Sequence, residues 1–107
     1  MPEASSASGV GDLSLDRLIH EPGRLAILTV LSSVKSADFV FLQGVTGLSK
    51  GNLSSHLSKL EDAGLISIEK AFVRKKPNTS AALTAEGRKR IARHWAQLER
   101  LKNLSVE

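Results

Sequence analysis

The sequence predicts a mostly α-helical chain carrying one small β-hairpin, with elements in the order α-α-α-α-β-β-α. Three observations predict it. Apolar residues recur at helical spacing from Asp12 to Ala63 and again from Ala85 onward. Gly47 and Gly64 fall where two of these runs stop, and glycine takes the left-handed conformation that ends a helix at little cost. Between Leu65 and Leu83 the apolar pattern alternates and β-branched residues enter, as in strands.

Taken in order, residues 1–11 are rich in Ser, Ala and Gly and have almost nothing to bury, so a disordered tail is expected there. Residues 12–107 form a single domain. Leu13, Leu15, Leu18 and Ile19 predict a short first helix. Pro22, whose fixed φ suits the first helical position, opens a second. Leu25, Ile27, Leu28, Val30 and Leu31 give that helix, to about Ser33, the wide apolar face of a central core helix. Asp38 can accept from the free amides one turn on and caps a third helix, with Phe39, Leu42 and Val45 on one face. Gly47 ends it, Ser49 caps a fourth, and Gly64 stops that one after Ala63. Only Thr46-Gly47-Leu48 separates the two, the spacing of a helix-turn-helix.

Leu65-Ile66-Ser67-Ile68 begins a strand that continues to Val73. Arg74-Lys75-Lys76-Pro77-Asn78 reads as a charged turn, and Thr79 to Leu83 return as the second strand. Thr84 caps a last helix over about residues 85–104, which carries Ile91, Trp95, Leu98 and Leu101. A helix-turn-helix followed by a hairpin with a basic tip is a winged helix-turn-helix.

Composition bounds the function. At 107 residues, 41% hydrophobic and 24% charged, the chain can bury one modest core. It has no cysteine, which excludes disulfides, thiolate metal sites and cysteine nucleophiles. Its longest apolar run, Leu25 to Leu31, is far short of the roughly 20 residues of a membrane helix. The N-terminus has no basic start or apolar segment of the kind a signal peptide needs. The expectation is a soluble, cytoplasmic protein. Its net charge of +4 is unevenly spread: residues 1–48 carry −2 and residues 49–107 carry +6. A basic half favours polyanionic partners, nucleic acid or an anionic membrane surface.

The helix after Ser49 narrows the choice. On a helical wheel Leu57 and Leu60 fall within about 40° of Leu53, which defines the buried stripe. The opposite arc carries Gly51, Asn52, Ser54, Ser55, Ser58 and Lys59. An ordinary exposed helix face favours Glu, Lys, Gln and Arg, whose helix propensities exceed those of Ser and Asn. Short side chains instead let a helix enter a DNA major groove, where Ser and Asn can donate to or accept from base edges. Lys50 and Lys59 add charge for phosphates. Arg74, Lys75 and Lys76 at the hairpin tip repel one another, a cost that bound phosphates would relieve.

The stretches His20-Glu21-Pro22-Gly23-Arg24-Leu25-Ala26-Ile27-Leu28, Thr46 to Leu57, Leu60-Glu61-Asp62-Ala63-Gly64-Leu65-Ile66 and Leu83-Thr84-Ala85-Glu86-Gly87-Arg88 carry a resemblance. From about Leu15 to Leu98 the chain resembles the small MarR/ArsR-type winged-helix transcriptional regulators. It looks closest to a stand-alone subgroup with a Gly-Asn-Leu-Ser-x-His-Leu recognition helix and a Lys-Lys-Pro wing. The resemblance implies sequence-specific binding of double-stranded DNA by a homodimer at a palindromic operator, with repression the more frequent outcome. It implies that Lys50, Gly51, Asn52, Ser54, Ser55, Ser58 and Lys59 face the major groove. Arg74, Lys75 and Lys76 then reach the backbone or minor groove. Many ArsR-type members sense metals through cysteines, so this chain departs from that pattern. It is also shorter than most MarR-type members and leaves little room for their effector pocket.

Other constellations are weaker. His56 lies at the edge of the buried stripe and reads as a partly buried histidine bonded to a neighbouring element. His20, His56 and His94 are too scattered along the chain to make a spaced ligand set, so no metal or cofactor is expected. Ser54, His56 and Asp62 point to different faces of one helix, which argues against nucleophilic catalysis, and no other constellation supports an enzyme, so none is expected. The last helix is long for so small a domain, so the far end with Leu98, Leu101 and Leu104 would stand exposed in a monomer. Pairing Ile91, Trp95, Leu98 and Leu101 with the first helix, which carries Leu15 and Leu18, and with the same last helix of a second copy would bury it.

Overall fold

The computed structural model describes residues 15–105. The predicted tail, and Leu13 of the predicted first helix, lie outside them. The elements are α1 (Pro22–Ser32), β1 (Ala37–Asp38), α2 (Phe39–Thr46), α3 (Lys50–Asp62), β2 (Ile66–Val73), β3 (Lys76–Leu83) and α4 (Ala85–Ser105). Among the described residues, four helices accompany a three-stranded antiparallel sheet of order β1-β3-β2.

Local chemistry sets most boundaries. Pro22 stands at the start of α1, capped by the Glu21 carboxylate on the Arg24 amide at 2.9 Å. Asp38 accepts from the Phe41 amide at 2.8 Å and Ser49 Oγ from the Asn52 amide at 3.1 Å, which caps α2 and α3. Gly47 and Gly64 adopt φ of 73° and 78°, the left-handed geometry that ends each helix. Helix α1 supplies Ile27, Leu28 and Leu31 to the core, and α3 supplies Leu53, Leu57 and Leu60. Burial of each such side chain contributes about 1.5–3 kcal/mol.

Four expectations need correction. Among the described residues, Leu15 to His20 form a turn rather than a helix. The Asp16 carboxylate accepts from the amides of Leu18 and Ile19 at 3.1 and 3.4 Å, a side-chain bond that competes with helix continuation. Strand β1 is an addition, pairing Ala37 with Ala81 and Asp38 with Ser80, and is too short to leave a periodic signature. The hairpin turn is only Arg74-Lys75, at φ 53° and 67°, so Lys76, Pro77 and Asn78 belong to β3. A two-residue turn with both central φ positive matches the twist of the strands it joins. At Pro77 β3 has a neighbour on one side only, an edge setting that tolerates proline. On α2, Leu42 is buried and Phe39 packs on the core, but Val45 is 53% exposed and so leaves the predicted apolar face.

Candidate nucleic-acid interface

Helix α3 turns two different faces outward and inward. Leu53, Leu57 and Leu60 are buried, while Lys50, Gly51, Asn52, Ser54, Ser55, Ser58 and Lys59 are all exposed. The outward side chains make no hydrogen bond or ion pair with any other described residue. Their polar groups are therefore available to an external partner, at a helix whose propensity they lower.

The orientation of α3 is set from α1. Arg24 Nη1 donates to His56 Nδ1 at 3.2 Å, and its Nε donates to the Leu18 carbonyl at 2.6 Å. Guanidinium has no acceptor, so it is the donor of this pair, and the other ring nitrogen, Nε2, lies 3.6 Å from Glu21 Oε1. The Arg24 amide bond holds the Glu21 carboxyl below its usual value; desolvation opposes the shift, and the nearby His56 and Arg24 side chains add to it. His56 is thus the partly buried, bonded histidine expected from its wheel position. Glu21 and Arg24 were not singled out in the sequence, where they stand some thirty positions from His56 and share no motif with it.

The hairpin lies beside α3. Ser54, Leu57, Ser58 and Glu61 from the helix, Ile68, Lys70 and Thr79 from the strands, and Phe39 line a cavity of about 210 Å³. Lys70 and Thr79 are register partners, as are Ile68 and Ala81. One face of the hairpin therefore continues from the core, through this groove, to the tip. There Arg74, Lys75 and Lys76 are exposed, and none has a side-chain partner among the described residues. The sequence-predicted helix and turn residues are brought to one side of the molecule, joined by Lys70.

The residues assigned to dimerisation divide. Ile91 is buried in the core of the single chain, and Leu18 packs against that core. Leu15, Leu98 and Leu101 are half-buried and lie outside the core cluster, Trp95 is 42% exposed and Leu104 is 55% exposed. Arg90 of α4 donates to the Asp16 carboxylate at 2.6 Å and so fastens the N-terminal turn to α4. Beside this pair His20 Nδ1 meets His94 Nε2 at 3.1 Å, so two of the three histidines are neighbours after all. His56 is elsewhere, and no group of three or more metal-ligating side chains forms among the described residues.

A helix-turn-helix whose second helix shows a short polar face, followed by a cationic hairpin on the same side, defines a winged-helix protein. The chain belongs to the winged helix DNA-binding domain family, which it matches over residues 24–102. It is 32% identical over 72 residues to an uncharacterized protein of Methanocaldococcus jannaschii, covering 67% of this chain and 78% of that one. Its structure is similar to that of a transcriptional regulator homologue from Pyrococcus horikoshii OT3. The two have a TM-score of 0.80 and 28% identity over 88% of this chain and 93% of the other. A MarR family regulator from Silicibacter pomeroyi shares the fold at a TM-score of 0.64 and 19% identity, over 85% of this chain and 60% of its own. The fold is that of winged-helix transcriptional regulators, and no helix among the described residues is long and apolar enough to cross a membrane.

Proposed function

We propose that this protein is a cytoplasmic transcriptional regulator that binds double-stranded DNA sequence-specifically as a homodimer. Lys50, Gly51, Asn52, Ser54, Ser55, Ser58 and Lys59 face the major groove, and Arg74, Lys75 and Lys76 reach the backbone or minor groove. The observation that carries this is the unpaired state of both sets on one side of the molecule, the groove with Lys70 lying between them. Unpaired cations next to a slim polar helix suit a partner with phosphates flanking a groove. A two-fold dimer would set the paired α3 helices about 34–36 Å apart, one DNA turn, on a palindromic operator. Occupancy of such a site blocks polymerase, so the protein acts as a repressor. No step of this reading calls for a cofactor, a metal or catalysis.

Selection of bound fragments from random duplexes, followed by a footprint, tests the reading directly. A palindromic site with half-sites one turn apart is expected. On the selected duplex, Asn52→Ala or Ser55→Ala should lose about 1–3 kcal/mol of discrimination at a single base position. A rival reading has the same α3 face bind a protein partner instead, and the exposed Val40, Phe41 and Val45 of the preceding helix favour such a contact. Failure to retain any duplex at low salt would overturn the DNA reading and leave that rival.

A further inference from the structure

The hairpin face that continues from the core can be read rung by rung. Ile68 and Ala81 form the innermost rung, with Ala81 buried. Lys70 and Thr79 form the next and line the groove against α3. Phe72 and Pro77 form the third, and Arg74-Lys75 close the turn beyond it. Side chains two residues apart on a strand share a face, so all three rungs point to the α3 side. The third rung breaks the polar trend: Phe72 is 76% exposed, with cations on either side of it. It contributes nothing to the core cluster. An aromatic ring held in water between Lys70 and the cationic Arg74-Lys75 turn suits a surface both apolar and anionic. A duplex minor groove is one, with deoxyribose edges for walls and phosphates along its rims.

The dimensions agree. Successive rungs are about 7 Å apart, two residues of antiparallel strand. The minor groove is about 6 Å wide. If α3 occupies the major groove and Lys70 meets the intervening phosphates, the Phe72 rung lies about 7 Å further along the hairpin, toward the adjacent minor groove. We propose that Phe72, backed by Pro77, is the minor-groove contact of the wing: its ring packs on deoxyribose edges and wedges a deformable base step. Such wedges favour pyrimidine–purine steps, which unstack at low cost. The inference rests on the DNA-binding reading above and adds to it a residue that reads shape rather than base edges.

The test compares the full chain with Phe72→Ala and Phe72→Leu on the duplex that the full chain selects from random DNA. Phe72→Ala should weaken binding about tenfold, equivalent to about 1.4 kcal/mol. The slope of affinity against salt should not change, because no counterion-releasing cation is removed. Repeating the selection with Phe72→Ala should erase a preference for TA or CA/TG steps at the flanks while keeping the positions under α3. Phe72→Leu, which keeps an apolar wedge, should retain most of the affinity. Parent-like affinity and flanks in Phe72→Ala would overturn the proposal, as would an altered salt slope, melting temperature or sedimentation of that variant. Absence of duplex binding by the parent is a separate result, and it sinks the DNA-binding reading itself.

Discussion

Gly87 in the first turn of α4 lies directly on the backbone of Leu65: a Cβ at Gly87 would collide with the Leu65 carbonyl oxygen. That oxygen already accepts from the Thr84 amide at 3.0 Å. The Thr84 hydroxyl donates to the Gly64 carbonyl at 2.6 Å and accepts from the Gly87 amide at 3.0 Å. One threonine therefore caps α4 and ties it to the end of α3. Only a residue without a side chain lets the helix lie this close to the start of β2.

Gly87→Ala should destabilise the fold by about 1–3 kcal/mol, the usual cost of forcing extra volume into a packed site. Here the neighbour is backbone and cannot swing aside. Thermal denaturation of the two proteins in parallel measures this; an unchanged melting temperature would show that α4 can lift from β2 at no cost.

The hairpin turn makes a second prediction. Arg74 and Lys75 both hold positive φ, where side chains are disfavoured and Asn-Gly is the preferred pair. Replacing them by Arg74→Asn and Lys75→Gly should stabilise the chain by about 1 kcal/mol or more, since each non-glycine residue in this conformation carries a cost of roughly 1–2 kcal/mol. The same change removes two cations from each protomer, four from the proposed dimer, so the salt slope of duplex binding should fall by about four. Stability and affinity moving in opposite directions would mark the tip as selected for charge at the expense of turn chemistry.

The same turn shows what the sequence could and could not carry. Caps and stops were legible at Pro22, Asp38, Gly47, Ser49, Gly64 and Thr84, because each acts within one helical turn of itself. The buried stripe Leu53, Leu57 and Leu60 and the outward serine face were legible for the same reason of short-range periodicity. The hairpin tip was placed too broadly. Pro77 and Asn78 are better turn formers than Arg74 and Lys75, yet pairing Phe72 with Pro77 moves the turn back to the cations. Contacts between distant residues left no local trace. Asp16 with Arg90, His20 with His94 and Arg24 with His56 follow from how helices are laid together.

Acid should weaken the fold in two stages. His94 is fully buried and its Nδ1 has no partner among the described residues, and burial lowers its pKa below 6.5; the neighbouring His20 lowers it further, against a smaller opposing effect of Asp16. Protons then bind the unfolded chain more readily than the folded one, so stability is complete above pH 6.5 and declines as pH drops below it. For Asp16, burial pushes the carboxyl up, but the Arg90 hydrogen bond and charge and the Ile19 and Leu18 amides together hold it below 3.8. Its contribution is present above 3.8 and is lost as pH falls past its lowered folded value. Melting curves against pH should therefore show a first decline that His94→Leu removes and a later one that Asp16→Asn removes. A profile of His94→Leu parallel to the parent between neutral pH and pH 5 would refute the first assignment.

The proposed dimer can be read from the protein's own fluorescence. Trp95 is the sole tryptophan, and it is partly exposed on α4 beside a cavity of about 250 Å³ lined by Ser32, Leu83, Arg88, Ile91 and Ala92. Further along, Leu98 and Leu101 lie outside the core cluster, and Leu104 is exposed. Burying this stripe against a second copy would take the indole out of water, so its emission should shift to the red on dilution as dimers part. Leu101→Glu places a charge in the stripe without touching the core. It should therefore show the red-shifted spectrum at every concentration, sediment as a monomer and melt without a change in its fold. On a palindromic duplex that variant should bind one half-site at a time, with the cooperativity of the parent lost. A parent whose emission and sedimentation are independent of concentration down to the nanomolar range, and which still footprints both half-sites, would require a different pairing surface.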